Sequence, residues 1–149
     1  MLALLLVSGV AGAQTVSTDT PEIAALRVKA NAGDAKAQTT LGASYYLGQG
    51  VPQDYAQAAA WYRKAAEQGL AIAQWSLGLR YQLGQGVPQD YVESHKWINL
   101  AASRASPENQ KIYAESRDNV TTLMTPTQIE AAQTLSREWL AAFEKRGGK

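Results

Sequence analysis

The sequence predicts an all-α protein, an α-solenoid of about seven helices with terminal capping helices, and three observations carry that expectation. Ala37 to Ala66 laid over Ala73 to Ala102, a shift of 36, matches at 17 of 30 positions without a gap. Within it, Leu47-Gly48-Gln49-Gly50-Val51-Pro52-Gln53-Asp54-Tyr55 returns unchanged as Leu83-Gly84-Gln85-Gly86-Val87-Pro88-Gln89-Asp90-Tyr91. Ahead of that block, Ala37, Leu41 and Tyr45 stand four apart, as do Ala73, Leu77 and Tyr81, so each set shares one helical face. No segment carries a convincing strand pattern. A unit of two helices around a glycine-rich turn cannot bury its apolar face alone, so the core must come from stacking.

Taken in order, Thr20 and Pro21 open a solitary helix, capping residue and first-turn proline, that ends before Gly33. Two full repeats follow, at about 33–68 and 69–104. In each, a glycine (Gly48 or Gly84) permits the positive φ with which a chain leaves a helix and reverses. Pro52 and Pro88 keep the next stretch extended, and Asp54 with Gln57, or Asp90 with Glu93, forms the expected capping box of the second helix. Ala58, Trp61 and Ala65, matched by Ser94, Trp97 and Ala101, give that helix its inward stripe. Gly42 and Gly78 fall inside helices at a cost of roughly 1 kcal/mol each relative to alanine, which close approach of a neighbour would offset. The capping helices span 107–145: one opens at Ser106-Pro107 and runs to about Leu123. The last opens at Thr125-Pro126-Thr127-Gln128 and carries Ile129, Ala132, Leu135, Trp139 and Phe143.

Composition narrows the chemistry. In 149 residues, 14 Lys and Arg against 13 Asp and Glu leave a net charge of +1, without the clustered positive charge that displaces counterions from phosphate, so nucleic acid is not an expected partner. The absence of cysteine excludes disulfides, thiol nucleophiles and thiolate metal sites. One histidine and 18% charged residues offer little for acid/base or metal work, and no cofactor or metal is expected. Met1 to Ala13 reads as a secretory signal peptide: an apolar run ends in Ala11-Gly12-Ala13, the small-x-small pattern cleaved by signal peptidase, and a short linker, 14–20, follows. The competing reading is an uncleaved N-terminal anchor, since no Lys or Arg precedes the run. The run is too short to span a bilayer, and no transmembrane segment is expected in the mature chain. Cleavage near Ala13 would place the product in the periplasm or outside the cell.

The repeat resembles the Sel1-like family, relatives of tetratricopeptide repeats with an A-x-x-x-L-G-x-x-Y-x-x-G-x-G-V-x-x-D pattern. Ala37, Leu41, Gly42, Tyr45, Gly48, Gly50, Val51 and Asp54 carry it, then Ala73, Leu77, Gly78, Tyr81, Gly84, Gly86, Val87 and Asp90. Trp61 with Ala65-Ala66, and Trp97 with Ala101-Ala102, are also similar to that family. Full units cover about half the chain. The resemblance implies a right-handed α-solenoid that binds another macromolecule on its concave side. A cysteine-rich subgroup of the family, discussed as binding or hydrolysing β-lactams, staples its repeats with disulfides that this chain cannot form.

Positions that differ between the units are free of the geometry that must be built twice, and they supply the candidate partner-binding set: Thr39, Ala43 and Tyr46 in the first unit, Trp75, Leu79, Arg80 and Gln82 in the second. Trp75 and Leu79 share a face that Arg80 or Gln82 could rim, a composition typical of interaction hot spots. The alternative for Trp75 and Leu79 is packing against the C-terminal helices, and for Arg80 a solvated surface. His95 stands opposite Ala59 of the other unit. A serine hydrolase would need a serine such as Ser94 and a carboxylate placed around it, and no nucleophile elbow is present. Glu115 and Asp118 sit beside Lys111 and Arg117, as in a solvated charge network. The expected function is thus a non-catalytic protein-interaction adaptor of the bacterial cell envelope. A cell-wall or carbohydrate-binding module is the alternative, and a β-lactamase-like hydrolase a weaker one.

Overall fold

The computed structural model describes residues 19–149; the expected signal peptide at 1–13 and all but the end of the 14–20 linker lie outside the described residues. Among those described there are seven helices and no strand: α1 (Pro21–Asn31), α2 (Ala35–Leu47), α3 (Tyr55–Glu67), α4 (Ala71–Leu83), α5 (Tyr91–Arg104), α6 (Pro107–Thr121) and α7 (Pro126–Lys145). Consecutive helices pack side by side from α1 to α6, while α7 returns to lie against α5.

Each unit is closed by the same local devices. Gly48 and Gly84 end α2 and α4 in the left-handed region, at φ 68° and 64°. The extended Asp54 and Asp90 then accept the amide hydrogens of Gln57 and Glu93, both at 3.0 Å. The reciprocal half of the expected capping box is made in neither unit. The Asp54 and Asp90 amides already donate to the Tyr45 and Tyr81 carbonyls at 2.9 and 3.0 Å, and the Glu93 carboxylate accepts instead from Lys96 Nζ at 2.7 Å and Trp97 Nε1 at 3.2 Å. Thr125 and Gln128 do form the complete box at the head of α7.

Stacking rests on residues that recur at the 36-residue interval. Leu41 and Leu77 are wholly buried, each such side chain contributing roughly 1.5–3 kcal/mol over its exposed state. The interior glycines allow close approach: a Cβ on Gly42 would lie 2.9 Å from the Tyr62 ring, and one on Gly78 would lie 2.5 Å from Ile98. A Cβ on Gly86 would fall 1.9 Å from the Tyr55 carbonyl oxygen, so the second turn rests directly on the start of α3. The buried amides of Gln38 and Gln74 donate to the carbonyls of Ala30 and Ala66, which ties the first helix of each unit to the helix before it. Arg27 and Arg63 lie over Tyr45 and Tyr81 and donate to their hydroxyls. Since Arg27 and Arg63 are themselves one interval apart, α1 occupies the place of a second helix, as its solitary position in the sequence suggested.

The C-terminal helices cover α5. Ser136 of α7 donates to the Lys96 carbonyl, and Trp139 meets Trp97 edge-on at 5.7 Å. Farther along, Phe143 takes the Arg104 guanidinium over its ring and reaches Gly69, where a Cβ would lie 2.6 Å from it. Among the described residues no helix is long and apolar enough to cross a membrane.

Candidate partner-docking face

Helices α2 and α4 are the first helices of the two units, and each turns one stripe inward. On α4 the inward residues are Ala73, Leu77, Arg80 and Tyr81, at steps of four, three and one. The remaining stripe, Ile72, Trp75, Leu79, Gln82 and Leu83, also follows helical spacing and is mostly apolar. A helix that is apolar on both sides normally lies inside a protein, yet Ile72 is 46% exposed and Leu83 55%. On α2 the corresponding stripe is Lys36, Thr39, Ala43, Tyr46 and Leu47, with Leu47 56% exposed.

Of the residues singled out by comparing the units, all but Arg80 are half-buried. Thr39 donates its hydroxyl to the Ala35 carbonyl at 2.8 Å, within its own helix. Ala43 packs against the central core. The Tyr46 ring leans on Tyr55 at 5.6 Å. The backbone carbonyls of Tyr46 and Gln82 accept from Gln53 and Gln89, equivalent bonds that brace the two turns. Trp75 is stacked on Tyr113 of α6 at 5.2 Å and donates its indole N–H to Ser116 Oγ at 3.0 Å, so it joins α4 to the C-terminal helices. Leu79 lies one turn beyond it on α4.

Arg80 is neither a rim residue nor a solvated one. It is 5% exposed, and its guanidinium sits 3.9 Å over the Tyr46 ring, between the two first helices. The reason is register: position 80 is three residues after the buried Leu77 and shares its inward turn. Its Nε and Nη1 are enclosed and have no hydrogen-bond partner. The neighbouring Tyr62 hydroxyl is pushed above its ordinary pKa by burial, with the Arg80 charge pulling the other way.

Comparison of the units missed Leu47, Leu83 and Ile72. The two leucines were passed over because they are identical, and identity was assigned to structure; more than half exposed, they do not serve the core. Ile72 stands opposite Lys36 one residue before the matched block, so the same comparison extended by one position would have found it.

Among the described residues, Ser94 is not hydrogen-bonded to His95. His95 is buried, with its pKa lowered by burial and by the Arg117 charge, although the Asp118 charge reaches it and raises its pKa against these larger effects. Neither its Nδ1 nor the Ser94 hydroxyl has a hydrogen-bond partner. Ser94 and His95 therefore do not form a nucleophile–base pair through Nδ1. Glu115 and Asp118 make exposed ion pairs with Lys111 and Arg117 at 3.8 and 2.8 Å. No cluster of potential metal ligands occurs among the described residues. Apart from the α2/α4 face, a cleft of about 480 Å³ between the end of α3 and α7 is lined by Lys64, Glu67, Gln68, Trp139 and Arg146.

The Sel1 repeat family matches residues 35–70 and 71–106, that is, α2 with α3 and α4 with α5. A protective antigen of uropathogenic Escherichia coli, described as displaying an SLR fold, is similar at 34% identity and a TM-score of 0.73, over 83% of this chain and 27% of that one. A Sel1 repeat protein from Oxalobacter formigenes is similar at 38% identity and a TM-score of 0.55, over 56% of this chain and 63% of that one. The chain thus spans about a quarter of the first relative's length and under two thirds of the second's. No curated relative matches the sequence significantly. Proteins built of Sel1 repeats typically mediate protein–protein interaction, on a fold that is typically a non-catalytic scaffold. With two matched repeats, each closed by the same glycine turn and aspartate cap, the chain belongs to the Sel1 repeat family.

Proposed function

We propose that this protein is a non-catalytic adaptor of the bacterial cell envelope that docks a protein partner on the α2/α4 face, the concave side expected of the solenoid. The observation that carries the reading is the second apolar stripe of α4, where Ile72 and Leu83 are about half exposed. Neither the core nor the turn geometry accounts for them. Trp75 and Tyr113 give this face a rigid aromatic floor, and Leu79 and Leu83 supply the apolar contacts above it. The envelope location rests on the Met1 to Ala13 segment, whose apolar run and small-x-small end suit export to the periplasm or beyond.

Site-specific photo-crosslinking in envelope extracts tests the docking face. A crosslinker at Leu79 or Leu83 is expected to capture a protein that the same group at Arg137, on the exposed side of α7, does not. Equal capture from both faces overturns the assignment. Processing of an epitope-tagged precursor, with cleavage near Ala13 and recovery in the periplasmic fraction, tests the location.

The carbohydrate reading is favoured by one feature, at a different place: the cleft beside Trp139 combines an indole with the polar Gln68, Lys64, Glu67 and Arg146. Binding of peptidoglycan fragments that is lost in Trp139→Ala, while Leu79→Glu retains it, would favour that reading over the adaptor.

A further inference from the structure

From the α2/α4 face, we infer that the partner presents an acidic side chain, a glutamate or aspartate carboxylate, to Arg80, with Tyr46 as the movable cover of that site. The inference rests on the docking reading above and names the chemistry of its anchor. Arg80 is 95% buried by its 5% exposure, and no carboxylate of the described residues pairs with it. An ion taken out of water without a counter-charge is strongly unfavourable, and removing its partner from such a site costs more than never having had the pair. The stack on Tyr46 offsets part of that cost by cation–π attraction, but it supplies no acceptor for Nε or Nη1.

Nothing in the repeat demands an arginine here. The equivalent position in the first unit is Ser44, whose hydroxyl is satisfied by the Thr40 carbonyl. Charge on the face has one sign: Ala35–Leu47 contains Lys36 and no acid, and Ala71–Leu83 contains Arg80 and no acid. A planar, permanently charged guanidinium with free N–H donors is suited to a carboxylate. The apolar residues beside it, Leu79 and Leu83, suit a peptide whose acidic residue is flanked by aliphatic ones. Access requires the half-buried Tyr46 ring to turn aside from Arg80 and to give up its contacts with Tyr55 and the central core.

The test uses the full chain labelled with ¹⁵N, reading the arginine Nε–H signals, that of Arg80 being identified by its loss in Arg80→Met. The probe is an end-blocked peptide alternating leucine and glutamate. One control replaces each glutamate by glutamine, and a second is that glutamine peptide with a free C-terminal carboxylate. The expected result is a saturable shift of the Arg80 signal with the glutamate peptide alone. In Arg80→Met, affinity for it should fall about tenfold or more, as for loss of a charge-assisted contact. The melting temperature of that variant should be equal to or above that of the parent, because an apolar residue of similar length replaces an unpaired ion. An unmoved Arg80 signal, or one moved equally by the glutamine peptide, overturns the inference. A shift produced only by the free C-terminus overturns the side-chain source. A clear fall in melting temperature of Arg80→Met assigns Arg80 to packing and also overturns it. If crosslinks from Leu79 and Leu83 persist while Arg80 fails these tests, the anchor falls and the docking face stands. If the crosslinks fail and the Arg80 shift persists, the face assignment falls by itself.

Discussion

The two repeats make the same framework and different surfaces. Leu41 and Leu77, the paired buried glutamines and the aspartate caps are interchangeable between them. The outward stripes are not: α2 carries Lys36, Thr39 and Ala43 where α4 carries Ile72, Trp75 and Leu79. Two copies of one geometry act as an internal control, in which whatever recurs and is buried answers to stacking. Leu47 and Leu83 show the limit of the rule, because they recur and yet lie exposed. The two turns also differ in what they rest on. Gly86 abuts the Tyr55 backbone, whereas a Cβ on Gly50 would meet the Ile23 side chain at 2.8 Å.

That last difference gives the largest expected effect. Gly86→Ala places a methyl group against a carbonyl that cannot move without shifting α3, and at φ 77°, so we expect about 3 kcal/mol of destabilisation in urea unfolding. Gly50→Ala shares the positive φ but meets an adjustable side chain, with an expected loss of about 1–2 kcal/mol. Equal costs for the two would remove the distinction between the turns. Next in size, Trp75→Ala should cost about 2 kcal/mol by thermal unfolding, below the value for a wholly buried tryptophan because the ring is half-buried. Trp75→Phe should recover most of it, lacking chiefly the bond to Ser116. Thr39→Ala, the same position in the first unit, should be close to neutral, and a comparable loss there would erase the asymmetry. Asp54→Ala and Asp90→Ala should each cost about 1 kcal/mol, and alike, since the two caps are made at the same distance.

The smallest effect near neutrality comes from His95, whose counterpart Ala59 cannot titrate. Burial lowers its folded pKa below the ordinary 6.5, so the unfolded chain binds the proton first as the solution is acidified. Stability is therefore full above about pH 6.5 and declines below it, by no more than about 1.4 kcal/mol for each pH unit, the limit for one proton, until the folded pKa is reached. Equilibrium unfolding between pH 7.5 and 5.5 should show that decline reduced in His95→Gln. An unchanged slope in the variant would assign the pH dependence to other groups.

Much of the fold was legible before any coordinate, because its determinants are local. Glycine at a left-handed position, aspartate at a cap and apolar residues at helical spacing act within a few residues of themselves, so the seven helices and both turns could be read from residues such as Gly48, Asp54 and Thr125. The missing halves of the two Asp capping boxes were not legible, since the Asp54 and Asp90 amides are taken across the turn by the Tyr45 and Tyr81 carbonyls, nine residues back. The candidate face was legible in part. Trp75 and Leu79 emerged from comparing the units, but whether an indole is free or stacked depends on α6, 41 residues from Trp75 at its Ser116 bond. Arg80 was misplaced because polarity suggested surface where register dictated burial.

By itself, the sequence determined the helix-pair repeat, its turns and caps and the family to which they belong, because these follow from short-range sterics and backbone hydrogen bonding written twice at a fixed interval. Only the tertiary structure decided that α7 folds back on α5, that Trp75 serves the α4/α6 junction, and that Arg80 lies enclosed on Tyr46 without a counter-charge. Those outcomes depend on which distant surfaces meet, and the energy of a side chain there is set by neighbours that no local pattern names.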